Sequence, residues 1–227
     1  SNGLVLAPGS SVLEQRAYTD DIDFLDEWFI PKIEYTSSVE VEAQQKTNWC
    51  WVTSARMFAK HFYPDVSYTQ AQAVTHVKGS EIDDGGNRAE AQKAINYYVS
   101  NISNAHIDTK YYDEKIYSEE TLKRFLDDGF VVYVSRGWYV NINNVYSRNG
   151  GHATLIFGYA VQGEELRFLV RDPGPVNKGE SYLISYEKLC NGRNNQFGEN
   201  PDIGVWYASL VVNTVYDHET IPYYFDQ

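Results

Sequence analysis

The 227-residue chain has only two cysteines, Cys50 and Cys190. A framework of several disulfides is excluded, and the count alone leaves open one bridge or two free thiols. Cations are scarce: 19 Lys and Arg stand against 31 Asp and Glu, giving a net charge of -12 and a pI near 4.8. Binding to a phosphate backbone needs clustered Lys and Arg, so no nucleic acid partner is expected. Long apolar runs are missing too. None approaches the roughly 18 to 20 residues that span a bilayer, and the opening "SNGLVLAPGS" has no basic segment leading into a hydrophobic one. No membrane partner is expected. The cysteines and the five histidines show no metal-ligand spacing, so no metal or organic cofactor is implied. Internal repeats and low-complexity tracts are also absent.

What the chain does have is a 43% hydrophobic share and 15% aromatics, with 19 Tyr and 5 Trp. That is enough to bury a core, either as one large domain or as two small lobes around one cleft. The aromatics favour a β-rich or mixed fold, because they suit half-buried pleated surfaces. The first residue is Ser rather than Met, which reads as a trimmed or mature form.

Periodicity changes near the middle. Residues 1–43 hold no clean repeat; "DDIDFLDEWFIPKI" is acidic and aromatic, and Pro31 stops whatever helix precedes it. This stretch reads as an arm or lead-in. From Cys50, "CWVTSARMFAKHFYP" puts Trp51, Ala55, Phe58, Ala59 and Phe62 on one helical stripe that Pro64 ends. "SYTQAQAVTHV" and "NRAEAQKAINYYV" read as further helices, the second after Gly85 and Gly86. "SEETLKRFLDDG" reads as another, capped by Ser118, acidic in its first turn and ended by Gly129. Beyond Gly129, "FVVYVSRGWYV", "HATLIFGYAV", "LRFLVRD", "SYLISYEKL" and "VWYASLVVN" read as strands. Helices first and strands second predict an α+β protein in which a helical lobe faces an antiparallel sheet.

Cys50 would open its helix. The unpaired N–H groups and dipole of a helix N-terminus favour a thiolate by on the order of 1 kcal/mol, and an imidazole that takes the thiol proton supplies the rest. Of the five histidines, His61 and His76 lie in the helical half, where packed or solvated rings are ordinary, and His106 and His218 sit in polar stretches without a supporting pattern. His152 follows a flexible Asn/Gly segment in "NGGHATLIFGY", at the entry to the most apolar strand. Alone, it is also consistent with a strand-edge histidine. "LRFLVRDPGP" ends the next strand at Asp172, where an antiparallel return brings a carboxylate back to the ring. In isolation the same residue is a turn-forming Asp before Pro. An oxyanion donor is available in the Cys50 N–H and in Gln44, six positions upstream, with Gln45 as fallback.

Gln44, Cys50-Trp51, Gly151-His152 and Asp172, in that order, resemble the active-site sequence of papain-like cysteine peptidases. The papain branch usually carries Cys-Gly-Ser-Cys-Trp and a Cys-to-His spacing of roughly 130 or more; here the run is Thr47-Asn48-Trp49-Cys50-Trp51 and His152 follows 102 positions after Cys50. "GGHATLIFGY" and "VRDPGP" are more similar to a shorter bacterial branch, staphopain-like, AvrRpt2-like or peptidase C39-like.

The resemblance implies a papain-like fold: an N-terminal helical lobe (about 44–128), with the nucleophile helix packed against a C-terminal antiparallel β-sheet lobe (about 129–214), and the cleft between them. Residues 1–43 form the arm and 215–227 a tail. It implies a cysteine endopeptidase with Cys50, His152, Asp172 and Gln44 as catalytic residues. Gly85, Gly86, Gly151 and Trp51 would bind substrate, with Trp49 and Trp51 walling the site or simply packing the helix. It further implies a protein or peptide substrate, a monomer, a free structural Cys190, and export from a bacterial cell. An acyltransferase or transglutaminase on the same fold, a non-catalytic peptide-binding module and a structural surface protein are the alternatives.

Overall fold

A computed structural model of the chain describes residues 32–113, 115–143, 145–162, 164–192, 203–213 and 220–221. The acidic stretch that ends at Pro31, His218 and most of the C-terminal tail lie outside these.

Among the described residues, four helices lie where the sequence predicts them, and a fifth is an addition. α1 (Cys50–Phe62) starts at Cys50, with Trp49 preceding it and giving no side-chain cap, and stops at Tyr63 before Pro64. α2 (Gln70–Lys78) and α3 (Arg88–Val99) each begin with a reciprocal capping box, Thr69 with Gln72 and Asn87 with Glu90. Ser118 caps α4 (Glu119–Asp127), and the chain leaves it through Gly129 at a positive φ of 89°. The addition is α5 (Tyr186–Asn191), capped by Ser185. "SYLISYEKL", expected as one strand, is thus a strand followed by a helical turn and a half.

The strands are β1 (Lys32–Thr36), β2 (Thr109–Tyr112), β3 (Lys115–Ile116), β4 (Val132–Ile142), β5 (Val145–Gln162), β6 (Glu165–Asp172), β7 (Glu180–Ser185), β8 (Val205–Val212) and β9 (Thr220–Ile221). Seven build one antiparallel sheet, in the order β2-β8-β4-β5-β6-β7, while β3 and β9 pair separately. β1 takes up the edge of β5 where β4 runs out: β4 partners β5 as far as Ile156, and β1 partners Gly158 to Val161. The last part of the supposed arm is therefore a sheet strand.

The central strands are apolar on both faces because both faces are covered. Val131, Tyr133, Leu155, Phe157, Leu169 and Leu210 pack with α1, α2 and α3 into one core. Their neighbours Val132, Val134, Ile156, Val170 and Val211 pack with Leu122, Phe125 and Leu126 of α4 and Leu189 of α5 into a second. α4, grouped with the helical half by sequence, lies across the sheet from the other three long helices. Cys50 packs against the first core and Cys190 sits within the second, so the sheet separates them and no disulfide joins them.

Candidate active site

α1 is buried nearly all round rather than along one stripe: Trp51, Val52, Thr53, Ser54, Ala55, Met57, Phe58 and Ala59 are all inside. It is therefore positioned from several sides. Ser54 Oγ, one turn after Cys50, donates to the Ala153 carbonyl at 3.0 Å, and Tyr98 Oη donates to the Val52 carbonyl at 2.9 Å. The first bond ties the Cys50 helix to the residue beside His152. With no side chain capping its N-terminus, α1 presents its positive end where Cys50 stands.

His152 is not at a strand entry. It lies inside β5, opposite Arg136 of β4. The Gly150-Gly151 pair just before it is a bulge in the strand: between Arg136/His152 and Trp138/Asn149, β5 uses one more residue than β4, and Gly150 has φ +84°. The glycines expected to be flexible instead re-aim the strand where the imidazole projects.

His152 Nε2 meets Asp172 Oδ1 at 2.6 Å, and the nearby Cys50 side chain also favours the charged form of the ring. Nε2 is committed to Asp172, so Nδ1 is the nitrogen left to exchange a proton with the thiol. Burial disfavours the imidazolium, but the Asp172 carboxylate and Cys50 outweigh it and push the His152 pKa to about 10. Asp172 is held below the usual carboxylate range: burial alone would raise it, but His152, the Gly174 N–H at 2.9 Å and the Tyr182 hydroxyl at 3.1 Å all favour its charged form.

Gln44 reaches this cluster through the loop after β6. Its N–H donates to the Pro173 carbonyl, and its carbonyl accepts from Asn177 N–H, each at 2.8 Å. Its side chain does not lie as an oxyanion donor should. Nε2 donates to the carbonyls of Lys46 at 3.0 Å and Thr47 at 2.7 Å, while Oε1, buried and without a partner, faces the Gly174 side where the His152 ring also lies. Both amide hydrogens are committed to the turn that leads into α1, a competition that residue spacing does not reveal. Gln45 is exposed, and its backbone N–H donates to Gln70 Oε1.

A cleft of about 860 Å³ runs past the site, lined by Cys50, His152, Trp51, Gly85, Gly86 and Gly151 among others. Gly85 and Gly86 are brought there because the preceding residues are stapled to the start of α1: Trp49 Nε1 donates to the Ile82 carbonyl at 2.8 Å, Trp51 Nε1 to the Asp84 carbonyl at 3.0 Å, and Asn48 N–H to Asp83 Oδ1 at 2.7 Å. A Cβ on Gly86 would stand 2.2 Å from the Trp51 ring. Trp51 therefore both packs and lines the cleft, whereas Trp49 is buried beneath it.

Residues 36–198, well over half of the chain, match the model of the peptidase C39-like family. The chain belongs to that family. Its fold is the family's α+β papain-like one, helices first and an antiparallel sheet after. Solved structures similar to this C39-like protein include a C39-like peptidase from Bacillus anthracis, at 13% identity over 82% of this chain and 99% of that one with a TM-score of 0.46. A double glycine motif protease from an AMS/PCAT transporter, in complex with the leader peptide, matches at 20% identity over 81% and 98%, TM-score 0.44. Procathepsin B from Trypanosoma congolense matches at 12% identity over 90% and 85%, TM-score 0.49. No curated protein sequence matches the chain.

The other described histidines of this C39-like protein are held elsewhere. His61 Nε2 meets the Gly129 carbonyl at 2.6 Å and its Nδ1 meets Ser37 Oγ at 2.7 Å, and burial lowers its pKa. His76 stacks on Tyr97 at 4.3 Å, and His106 is exposed. Sequence reasoning missed part of the cleft wall: Asn48, Arg88, Tyr111, Tyr133, Ser135, Arg148 and Tyr207. They come from several elements distant in sequence, and only the folded chain brings them together.

Proposed function

We propose that the chain is a cysteine endopeptidase that hydrolyses peptide bonds with Cys50 as nucleophile, His152 as acid and base, and Asp172 as the group orienting His152. The observation that carries this reading is the imidazole held between the Cys50 side chain and Asp172, with its pKa raised to about 10. An imidazole so placed can take the thiol proton, which leaves sulfur as the attacking thiolate. Membership of a peptidase family and the cleft beside Cys50 support the same reading.

In this mechanism the thiolate adds to the peptide carbonyl, and the oxyanion is held by N–H groups at the uncapped start of α1. His152 gives its proton to the leaving amine and the acyl-enzyme forms. Water then attacks the thioester, His152 taking its proton and returning it to sulfur. Gln44 contributes a second oxyanion donor by turning its amide about its last torsion, giving up the Lys46 and Thr47 carbonyls.

The test is intact-mass analysis after treatment with the thiol-directed epoxide E-64, alongside hydrolysis of an unfolded protein substrate. The wild type is expected to gain one inhibitor mass and to cut; Cys50→Ala should do neither, and His152→Ala should label far more slowly. An unlabelled, inactive wild type under reducing conditions would overturn the assignment. Transfer to an added amine in place of water would redirect it to acyl transfer.

A further inference from the structure

The cleft of this acidic protein has a basic wall. Arg88, at the first position of α3, and Arg148, on β5, both line the cavity beside Cys50. They come from separate elements and meet the same ring: the guanidinium carbons lie 6.0 and 4.4 Å from the centroid of Tyr207.

The backbone is shaped to allow this. Along β4, Ser135 partners Ala208 and Arg136 partners Trp206, so Tyr207 is the extra residue of a bulge in β8. Gly137 leaves room for the stem of Arg148 to cross the sheet toward that ring, since a Cβ there would stand 2.7 Å from Arg148 Cδ. Two like charges gathered at one ring are unfavourable unless something anionic joins them.

The carboxylates nearby fill that role for Arg88 alone. Asp84 lines the cleft, but its oxygens accept from its own neighbour, the Gly85 N–H, at 2.9 Å and pair with Lys78 at 3.5 Å. Asp113 pairs with Arg88 from a largely exposed position, while Arg88 Nε is enclosed and without a hydrogen-bond partner. No carboxylate among the described residues pairs with Arg148, whose side chain is exposed.

We propose that Arg88, Arg148 and Tyr207 form a subsite for a carboxylate of the substrate, supplied by an acidic side chain close to the bond that Cys50 attacks. This rests on the peptidase reading above. An exposed guanidinium fixed by stacking loses less freedom when it captures a carboxylate than a mobile one does, and its planar fork donates to both oxygens.

The test uses decapeptides that carry Glu or Gln, in turn, at each position within three of the central bond, each with a free or an amidated C-terminus. Binding is measured on the Cys50→Ala protein by fluorescence anisotropy, and cleavage by the wild type is followed by mass spectrometry. At one position Glu should be favoured over Gln by about tenfold, the size of one charge-assisted hydrogen bond. The preference should fall below about twofold in Arg148→Gln, weaken in Arg88→Gln, and fade as salt rises. Circular dichroism checks that both variants are folded.

Equal handling of Glu and Gln at every position, or a preference that survives both substitutions, would overturn the subsite. A preference confined to the free C-terminus would assign the carboxylate to the chain end and support the subsite in that form. Glu-selective binding to Cys50→Ala, with no cleavage by the wild type, would keep the subsite and sink the hydrolase reading.

Discussion

Asp172 accepts three hydrogen bonds, from His152, Gly174 and Tyr182, and its charge is the main influence holding the proton on His152. Asp172→Asn keeps the shape and removes the charge. The alkaline limb of kcat/KM, expected near pH 10 in the wild type, should move to lower pH, and activity at neutral pH should drop at least about tenfold, the worth of a lost charge-assisted hydrogen bond. A limb that stays near pH 10 would mean that Asp172 does not set it. Gln44 poses a sharper alternative, because its amide hydrogens are held by Lys46 and Thr47. If the amide turns to the oxyanion during the reaction, Gln44→Ala lowers kcat by about 10²- to 10³-fold with little change in KM. If it only braces the turn before α1, kcat is kept and the loss appears in the thermal midpoint.

Elements, rather than single residues, set where substrate can lie. The strip 82–86 is held to the start of α1 by the Trp49, Trp51 and Asn48 hydrogen bonds, and it lies against Trp51 so closely that only glycine fits at position 86. Gly86→Ala should push the strip off the ring, at an overpacking cost of about 1–3 kcal/mol, seen as a lower urea midpoint and a raised KM. An unchanged midpoint would show that the strip is not seated there. Much of this scale was legible in the sequence. The helix starts announced themselves through the stripe from Cys50, the Gly85-Gly86 pair and Ser118, and the strands after Gly129 through their branched and aromatic residues. The rest was hidden for identifiable reasons. β1 and β2 are four or five residues long and take their identity from the edges they join. α5 is capped by Ser185, but its Tyr186 continues the β-like composition of "SYLIS". Gly150-Gly151 reads as loop because a bulge and a turn use the same residue. Cys50, His152 and Asp172 could be picked out because each carries a local signal. Arg88, Arg148 and Tyr207 could not, because the register of β4 with β5 and β8 assembles that wall.

For the whole molecule, the charged cluster makes stability depend on pH in a direction that can be worked out. His152 holds its proton up to about pH 10 when folded, against an ordinary 6.5. Its contribution is complete below about pH 6.5 and is lost as pH climbs toward 10. Asp172, held below its usual 3.8, acts in the opposite sense: its contribution is present above that value and disappears as pH falls through its folded pKa. The pair therefore stabilises the fold most between these two limits. A net charge of -12 adds a general repulsion, but exposed charges are screened within about 8 Å at physiological salt, whereas the His152 and Asp172 side chains are only 19% and 14% exposed. Thermal midpoints measured from pH 7 to 9 in high salt should isolate the pair: the wild type should lose stability with rising pH, and His152→Gln, which has no proton to lose, should follow a flatter line. Parallel lines for the two proteins would mean that the imidazole titrates alike in the folded and unfolded chains, and the ion pair at the centre of the proposed mechanism would have to be abandoned with it.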